Sequence, residues 1–210
     1  MSRRGAPPEL FAIASLLLRY PSASALERDA EIGEAVAVLP ARLRAPFERF
    51  LAHRREAPPL DLEREYVETF DTRRRCTLNV SYYLYGDTRR RGVALLRLKR
   101  MYAAAGLVLD SDELPDHLPV MLEFAALAPA GYGEHVLQEH RVGIELLLLG
   151  LRHGGRPHAD VIESVSAALP RLGLSQSRAV RKLAAEGPPD EQVGLEPFAP
   201  PEVMPLEVRQ

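Results

Sequence analysis

Tryptophan is absent from the chain, and cysteine is nearly so: Cys76 stands alone in 210 residues. A single thiol excludes an intramolecular disulfide, which suits a reducing compartment, and it excludes every metal site built on paired cysteines. No His-Glu-x-x-His pair occurs, and His135 and His140 are five apart, the wrong spacing for one helix face. No apolar run approaches the ~18 residues of a membrane span. The formal net charge is −2, so no global field marks the chain for nucleic acid or for a membrane surface. Phosphate loops are missing too. "GYGEHV" at 131–136 lacks a third glycine, and "GLRHGG" at 150–155 lacks the Lys-Ser/Thr that would follow. No nucleophile has a base beside it in sequence. The expectation is a protein that is not an enzyme, with no metal and no permanently bound cofactor.

What is present is an apolar content of 46%, enough for a sizeable core. The first 25 residues imitate a signal peptide, with Arg3 and Arg4 ahead of an apolar run from Leu10 to Leu18. Pro7, Pro8 and Glu9 interrupt that pattern, and Leu10, Ile13, Ala14 and Leu17 form an amphipathic stripe. We read a packed first helix and a cytoplasmic protein. Helix punctuation then recurs. Pro8 opens helix one and Pro21 closes it. Ser24 with Glu27 spells a capping box for a helix reaching Leu39. Pro40 starts the next, with Leu43, Phe47, Phe50 and Leu51 inside and a bend at Pro46. Asp61 is placed as the cap of a helix that buries Leu62, Tyr66, Val67 and Phe70. Asp87 or Thr88 caps a long helix that stops at Gly106. Further helices are expected near 133–152, 158–169 and 175–186.

"TLNVSYYLY" (77–85) resists this scheme. Leu78, Val80, Tyr82 and Leu84 alternate with period two, as a strand would. No second segment of that quality exists to pair with it, and a lone strand leaves backbone groups unsatisfied. Helix is therefore the expectation. The fold class that follows is all-α: a single-domain helical bundle over 1–186. From 187 to 210 the chain has six prolines and five acids against Arg209, and it reads as an extended, Pro-rich acidic tail. Residues 71–100 are the opposite, with nine basic side chains against Asp71 and Asp87. Charge alone fits a solvated helix face, or a helical adaptor or nucleic-acid-binding module that uses this strip.

"ELPDHLPVMLEF" (113–124) sets two prolines and two acids before an apolar run. With Asp116 as N-cap, Pro119 falls in the first turn, where its missing N–H costs nothing. Leu118, Met121, Leu122 and Ala125 then make one buried stripe.

Taken in order, "YVETFD" (66–71), "YGDTRRRG" (85–92), "YAAAGL" (102–107) and "ELPDHLPVMLEFAAL" (113–127) resemble the NarJ-type nitrate reductase assembly chaperones, within the wider TorD-like family of redox-enzyme maturation proteins. The resemblance is dense over about 60–130, weak before it and loose after it. It implies an all-α cytoplasmic chaperone without turnover. Such a chaperone binds the apo catalytic subunit of a membrane-associated nitrate reductase, often by its N-terminal segment, and assists insertion of the molybdopterin-type cofactor into that client. It implies no nucleic-acid partner and no insertion of the chaperone into the membrane. The positions carried over are Phe70, Asp71, Gly86, Asp87, Arg89, Arg91, Gly92, Leu114, Pro115, Asp116, Leu118, Pro119 and Glu123. A helix-in-groove site needs apolar anchors and a polar rim. Tyr82, Tyr83, Tyr85, Leu118, Leu122 and Phe124 are candidates for the anchors. Asp71, Asp116, Glu123 and the arginines are candidates for the rim. Arg89 and Arg91, two apart on a helix, face different ways, so one of them is expected to pair internally, with Asp71 as candidate partner.

Overall fold

The computed structural model describes residues 6–72, 74–110 and 112–189, with the backbone alone at Arg74. The tail expected from 187 lies outside these residues beyond Pro189. Among the described residues the secondary structure is helical, and two segments touch as a single antiparallel bridge, Asn79 with His117.

The helices begin where prolines and caps set them. α1 (Pro8–Leu17) opens on Pro8, and α5 (Pro59–Tyr66) on Pro59. α4 (Ala41–Glu56) starts behind Pro40 and continues through Pro46. α7 (Arg89–Ala104) ends as Gly106 predicts. With φ +79 at Gly106, the Leu107 N–H reaches the Tyr102 carbonyl at 3.0 Å and the Gly106 N–H reaches Ala103 at 3.0 Å, the paired bonds of a Schellman stop. α8 (Leu118–Leu127), α11 (His158–Ala168) and α12 (Leu174–Glu186) lie close to their expected positions.

Four local expectations are corrected. Ser22, not Ser24, is the cap that accepts an N–H, from Ala25, and it starts only the short α2 (Ala23–Leu26). The chain turns at Glu27 and Arg28 before α3 (Asp29–Ala37), which aims Asp29 at buried Arg54 of α4, 3.0 Å away. Asp61 does not cap α5. Pro58 holds that position, and Asp61 lies in the first turn, paired with Arg64. The expected helix over 133–152 is two helices, α9 (Tyr132–Glu139) and α10 (Arg141–His153). At the break, the buried His140 ring turns back to the Val136 carbonyl at 2.9 Å, and Arg141 turns inward to Glu145 and Ser166. The 78–84 stretch is helical only in α6 (Tyr82–Tyr85). Leu78 to Val80 is extended and bonded to the segment ahead of α8. The alternation in sequence was real for that half, and its partner is a two-residue piece with no strand signature of its own.

The core is one contiguous cluster. α1 packs on α8, the two most apolar helices, with Leu10, Phe11, Leu118, Met121 and Leu122 essentially without exposure. The Ser15 hydroxyl donates to the Pro119 carbonyl at 2.8 Å across this contact. α4 packs on α11, where Ser164 donates to the Leu43 carbonyl at 2.8 Å. α10 sits between α11, α12 and α6. Each fully buried Leu or Phe contributes about 1.5–3 kcal/mol, so this two-sided packing, rather than intrinsic helix propensity, holds the short helices in place.

α9 crosses α8 so closely that a Cβ at Gly133 would stand 2.3 Å from the Ala125 Cα. Gly133→Ala is expected to cost about 1–3 kcal/mol by overpacking, read as a lower midpoint in urea. A second prediction follows from His158, wedged between Phe50 and Phe70 at ring distances of 4.9 and 4.8 Å. Burial, with repulsion from His53, Arg54 and Arg156, pushes its pKa down from 6.5 to about 3. The folded state therefore keeps the neutral ring, while the unfolded chain takes up the proton below about pH 6.5. Stability from this site is flat above that pH and falls by about 1.4 kcal/mol per unit as pH drops below it. Chemical unfolding of His158→Leu at several pH values is expected to show a shallower acid limb.

Candidate functional site

The motif residues converge on one buried carboxylate. Asp116 has no exposure, and its side chain accepts from Asn79 Nδ2 at 3.0 Å, from the Ser81 hydroxyl, and from Arg91 at 3.3 Å. Arg91 also reaches Asp87 at 3.0 Å, and its guanidinium lies 5.9 Å from the centre of the Tyr82 ring. The backbone reinforces the junction. Val80 N–H donates to the Asp116 carbonyl at 3.1 Å, Leu118 N–H to Leu78 at 2.8 Å, and the buried Tyr102 hydroxyl to the Pro115 carbonyl at 2.7 Å. The loop before α8, the 78–81 segment and α7 are thus tied at one point. Asp116 is not the N-cap of α8. His117 holds that position without a side-chain bond, and Asp116 points into the protein. Arg91 is the internally paired arginine, with Asp87 and Asp116 as partners in place of Asp71, while Arg89 is exposed.

Beside this junction opens a groove of about 830 Å³. Tyr66, Phe70, Leu78, Tyr102 and Phe124 form its apolar floor. Its lips are Val108 and Leu127, 87% and 64% exposed, large apolar side chains left facing water. The rim is acidic: Asp71, Asp110, Glu113 and Glu123 are all exposed. Among the described residues Arg19 is the arginine of the lining, and it is taken by Glu123 at 2.6 Å. His117 lines the groove between Glu113 and Asp116, and burial lowers its pKa although those acids oppose the shift. An open apolar trough with carboxylates along its edge suits an amphipathic segment whose polar face is basic.

Comparison with known proteins gives this arrangement a family. Residues 27–157 match the model of the nitrate reductase delta subunit family. The chain belongs to that family. Its relatives include the probable nitrate reductase molybdenum cofactor assembly chaperone NarJ of Bacillus subtilis, 31% identical over 80% of this chain and 91% of that one. NarJ of Escherichia coli is 31% identical over 88% of this chain and 79% of that one. Nitrate reductase-like protein NarX of Mycobacterium tuberculosis is 35% identical over 72% of this chain, which spans 23% of NarX. A crystal structure of a putative redox enzyme maturation protein from Archaeoglobus fulgidus superposes with a TM-score of 0.60 over 80% of this chain, at 20% identity, and so shares its fold. No described helix of this delta-subunit-family chain is long and apolar enough to cross a membrane. No cluster of metal-ligating side chains exists among its described residues.

Within this delta-subunit fold the sequence-derived candidates separate. Phe70, Asp71, Glu123 and Phe124 line the groove. Tyr82, Asp87 and Arg91 face an adjoining cleft of about 230 Å³ that shares Phe70 and Asp71. Leu118 and Leu122, candidates for anchors, are core residues that back the α8 wall and offer no surface, and the carried-over Pro119 is buried with them. Tyr83 is buried as well, its hydroxyl donating toward the Arg75 and Thr77 carbonyls. Pro115 is buried against Tyr102, Leu114 is 43% exposed, and Tyr85 lines a different cleft beside α7. Sequence reasoning missed Arg19, Tyr20 and the Leu107–Asp110 segment. The one signal for them was an apolar pair, Leu107 and Val108, directly after a helix stop.

The junction makes its own prediction. Asp116→Ala leaves Arg91, Asn79 and Ser81 without their shared acceptor, so the loss is expected at about 3–5 kcal/mol, larger than a lost cap. In an Arg91→Met background the same change is expected to cost clearly less. A double-mutant cycle in urea measures that coupling.

Proposed function

We propose that this protein is the dedicated assembly chaperone of a nitrate reductase. It binds the apo catalytic subunit by that subunit's N-terminal segment, in the cytoplasm, and keeps the subunit open for molybdenum cofactor insertion before the enzyme docks at the membrane. The observation that carries this reading is the acidic-rimmed apolar groove, which fits a basic amphipathic helix. The names of the NarJ relatives support the nitrate reductase system as the client's source.

The chemistry is binding alone. The floor aromatics remove the segment's apolar face from water, the largest favourable contribution to such a complex. The carboxylates of Asp71, Asp110 and Glu113 steer a cationic segment into place and set its direction, while contributing less to affinity than to association rate. Nothing in this scheme requires the chaperone to hold the cofactor. Its part is to keep the client from closing or assembling early.

Val108 and Leu127 protrude from the lips, so Val108→Asp and Leu127→Asp test the groove without opening the core. Calorimetric titration with a synthetic N-terminal peptide of the cognate catalytic subunit is expected to show affinity at least about tenfold weaker for each variant, with thermal unfolding unchanged. Unaltered affinity in both variants would place the client elsewhere. Steep loss of binding with salt, accompanied by DNA binding, would favour a nucleic-acid module on the 71–100 strip instead.

A further inference from the structure

α7 is weakly anchored for its length. Of its sixteen residues, Leu98 and Tyr102 are buried. Its outward face carries Arg89, Val93, Leu96 and Arg100 at i, i+4, i+7 and i+11, with Val93 68% and Leu96 59% exposed. Arg90 and Lys99 flank this stripe, and the helix contains no acidic residue. Arg91 and Arg97 are spoken for by Asp116 and Glu139. Arg89, Arg90, Lys99 and Arg100 have no ion pair among the described residues. Beside the stripe, Tyr85, Val93, Ala94, Leu98 and Met101 line a cleft of about 500 Å³ together with Arg90 and the Arg97–Glu139 pair.

After α12, Gly187–Pro189 runs to the start of α7, and Pro189 lies against Gly86. A Cβ there would stand 1.8 Å from the Pro189 carbonyl oxygen. Residues 190–210, outside the described part, carry Asp190, Glu191, Glu196, Glu202 and Glu207 against Arg209, interspersed with Leu195, Phe198 and Val203. We propose that residues 190–210 are the ligand of the exposed α7 face, with their acids on Arg89, Arg90 and Arg100 and Phe198 seated in the Tyr85–Met101 cleft.

Reach, charge and spacing agree. Nine residues, Asp190 to Phe198, can span at most about 30 Å at the ~3.3–3.6 Å per residue of a fully extended chain. From Arg89 to Met101 along a helix is ~18 Å. The tether makes the contact intramolecular, at an effective concentration that separate partners do not reach. The acidic rim of the groove on Asp71, Asp110 and Glu113 repels the same segment, which directs it to α7 and leaves the groove free. This inference stands whether or not the groove takes the proposed client.

The absence of tryptophan supplies the probe. Phe198→Trp in the full chain is the only indole, and its quenching by acrylamide reports its exposure. Quenching is expected to be weaker by about twofold or more than in an isolated 190–210 peptide carrying the same substitution. The protection should disappear at about 1 M salt, where exposed charges are screened within ~3 Å, and in an Arg90→Glu/Arg100→Glu variant, whose two sites are exposed and unpaired. Quenching equal to that of the free peptide overturns the proposal. So does protection that survives the α7 variant, which seats the segment elsewhere, and protection that rises with protein concentration, which puts the segment on a second copy.

Discussion

A carboxylate with no solvent contact is costly to bury unless its charge is met, and in this protein that requirement organises three segments far apart in sequence. Asp116 draws Arg91 from α7 and Asn79 and Ser81 from the extended piece before α6. Because Leu78 and Val80 also exchange backbone hydrogen bonds with Leu118 and Asp116, the loop ahead of α8 cannot shift without breaking the charge cluster. α8 is then fixed against α1, and its Phe124 and Glu123 arrive at the groove in a defined position. The groove floor is a by-product of that fixation. Tyr102 holds the Pro115 carbonyl with its hydroxyl while its ring lies 4.4 Å from Phe124.

The molecule presents two faces of opposite electrostatic sign. The groove has an apolar floor and carboxylate edges, while α7 has an apolar stripe between cations. Arg91 sits between them, pairing inward with Asp116 and leaving its helix neighbours Arg89 and Arg90 exposed. One short motif, "YGDTRRRG", thus contributes a structural arginine and two surface ones. That division is why residues within a single motif need not share a role.

Much of the helical architecture was legible because its signals are local. Pro8 and Pro40 mark helix starts, and Gly106 marks a stop whose paired bonds form as expected. Reading failed where a local rule competed with a distant partner. An acid ahead of a helix looks like a cap, and Asp116 fits that pattern until Arg91, 25 residues away, is placed beside it. A histidine inside a helical pattern looks continuous with it, and His140 marks the break with its ring turned back onto Val136. The period-two pattern at 78–84 was half correct, since extended backbone there is satisfied by a segment too short to announce itself as a strand.

The sequence by itself determined the all-α class, the positions of most helices, and the family through four ordered motifs. These depend on composition and on neighbours within a turn or two, which a single chain displays directly. Only the tertiary structure decided which motif residues are buried and which meet solvent, and it alone assembled the groove from Arg19, Phe70, Val108 and Phe124. Burial and charge pairing are properties of distances across the fold, set by how α1, α7 and α8 pack, and no periodicity along the chain encodes them one residue at a time.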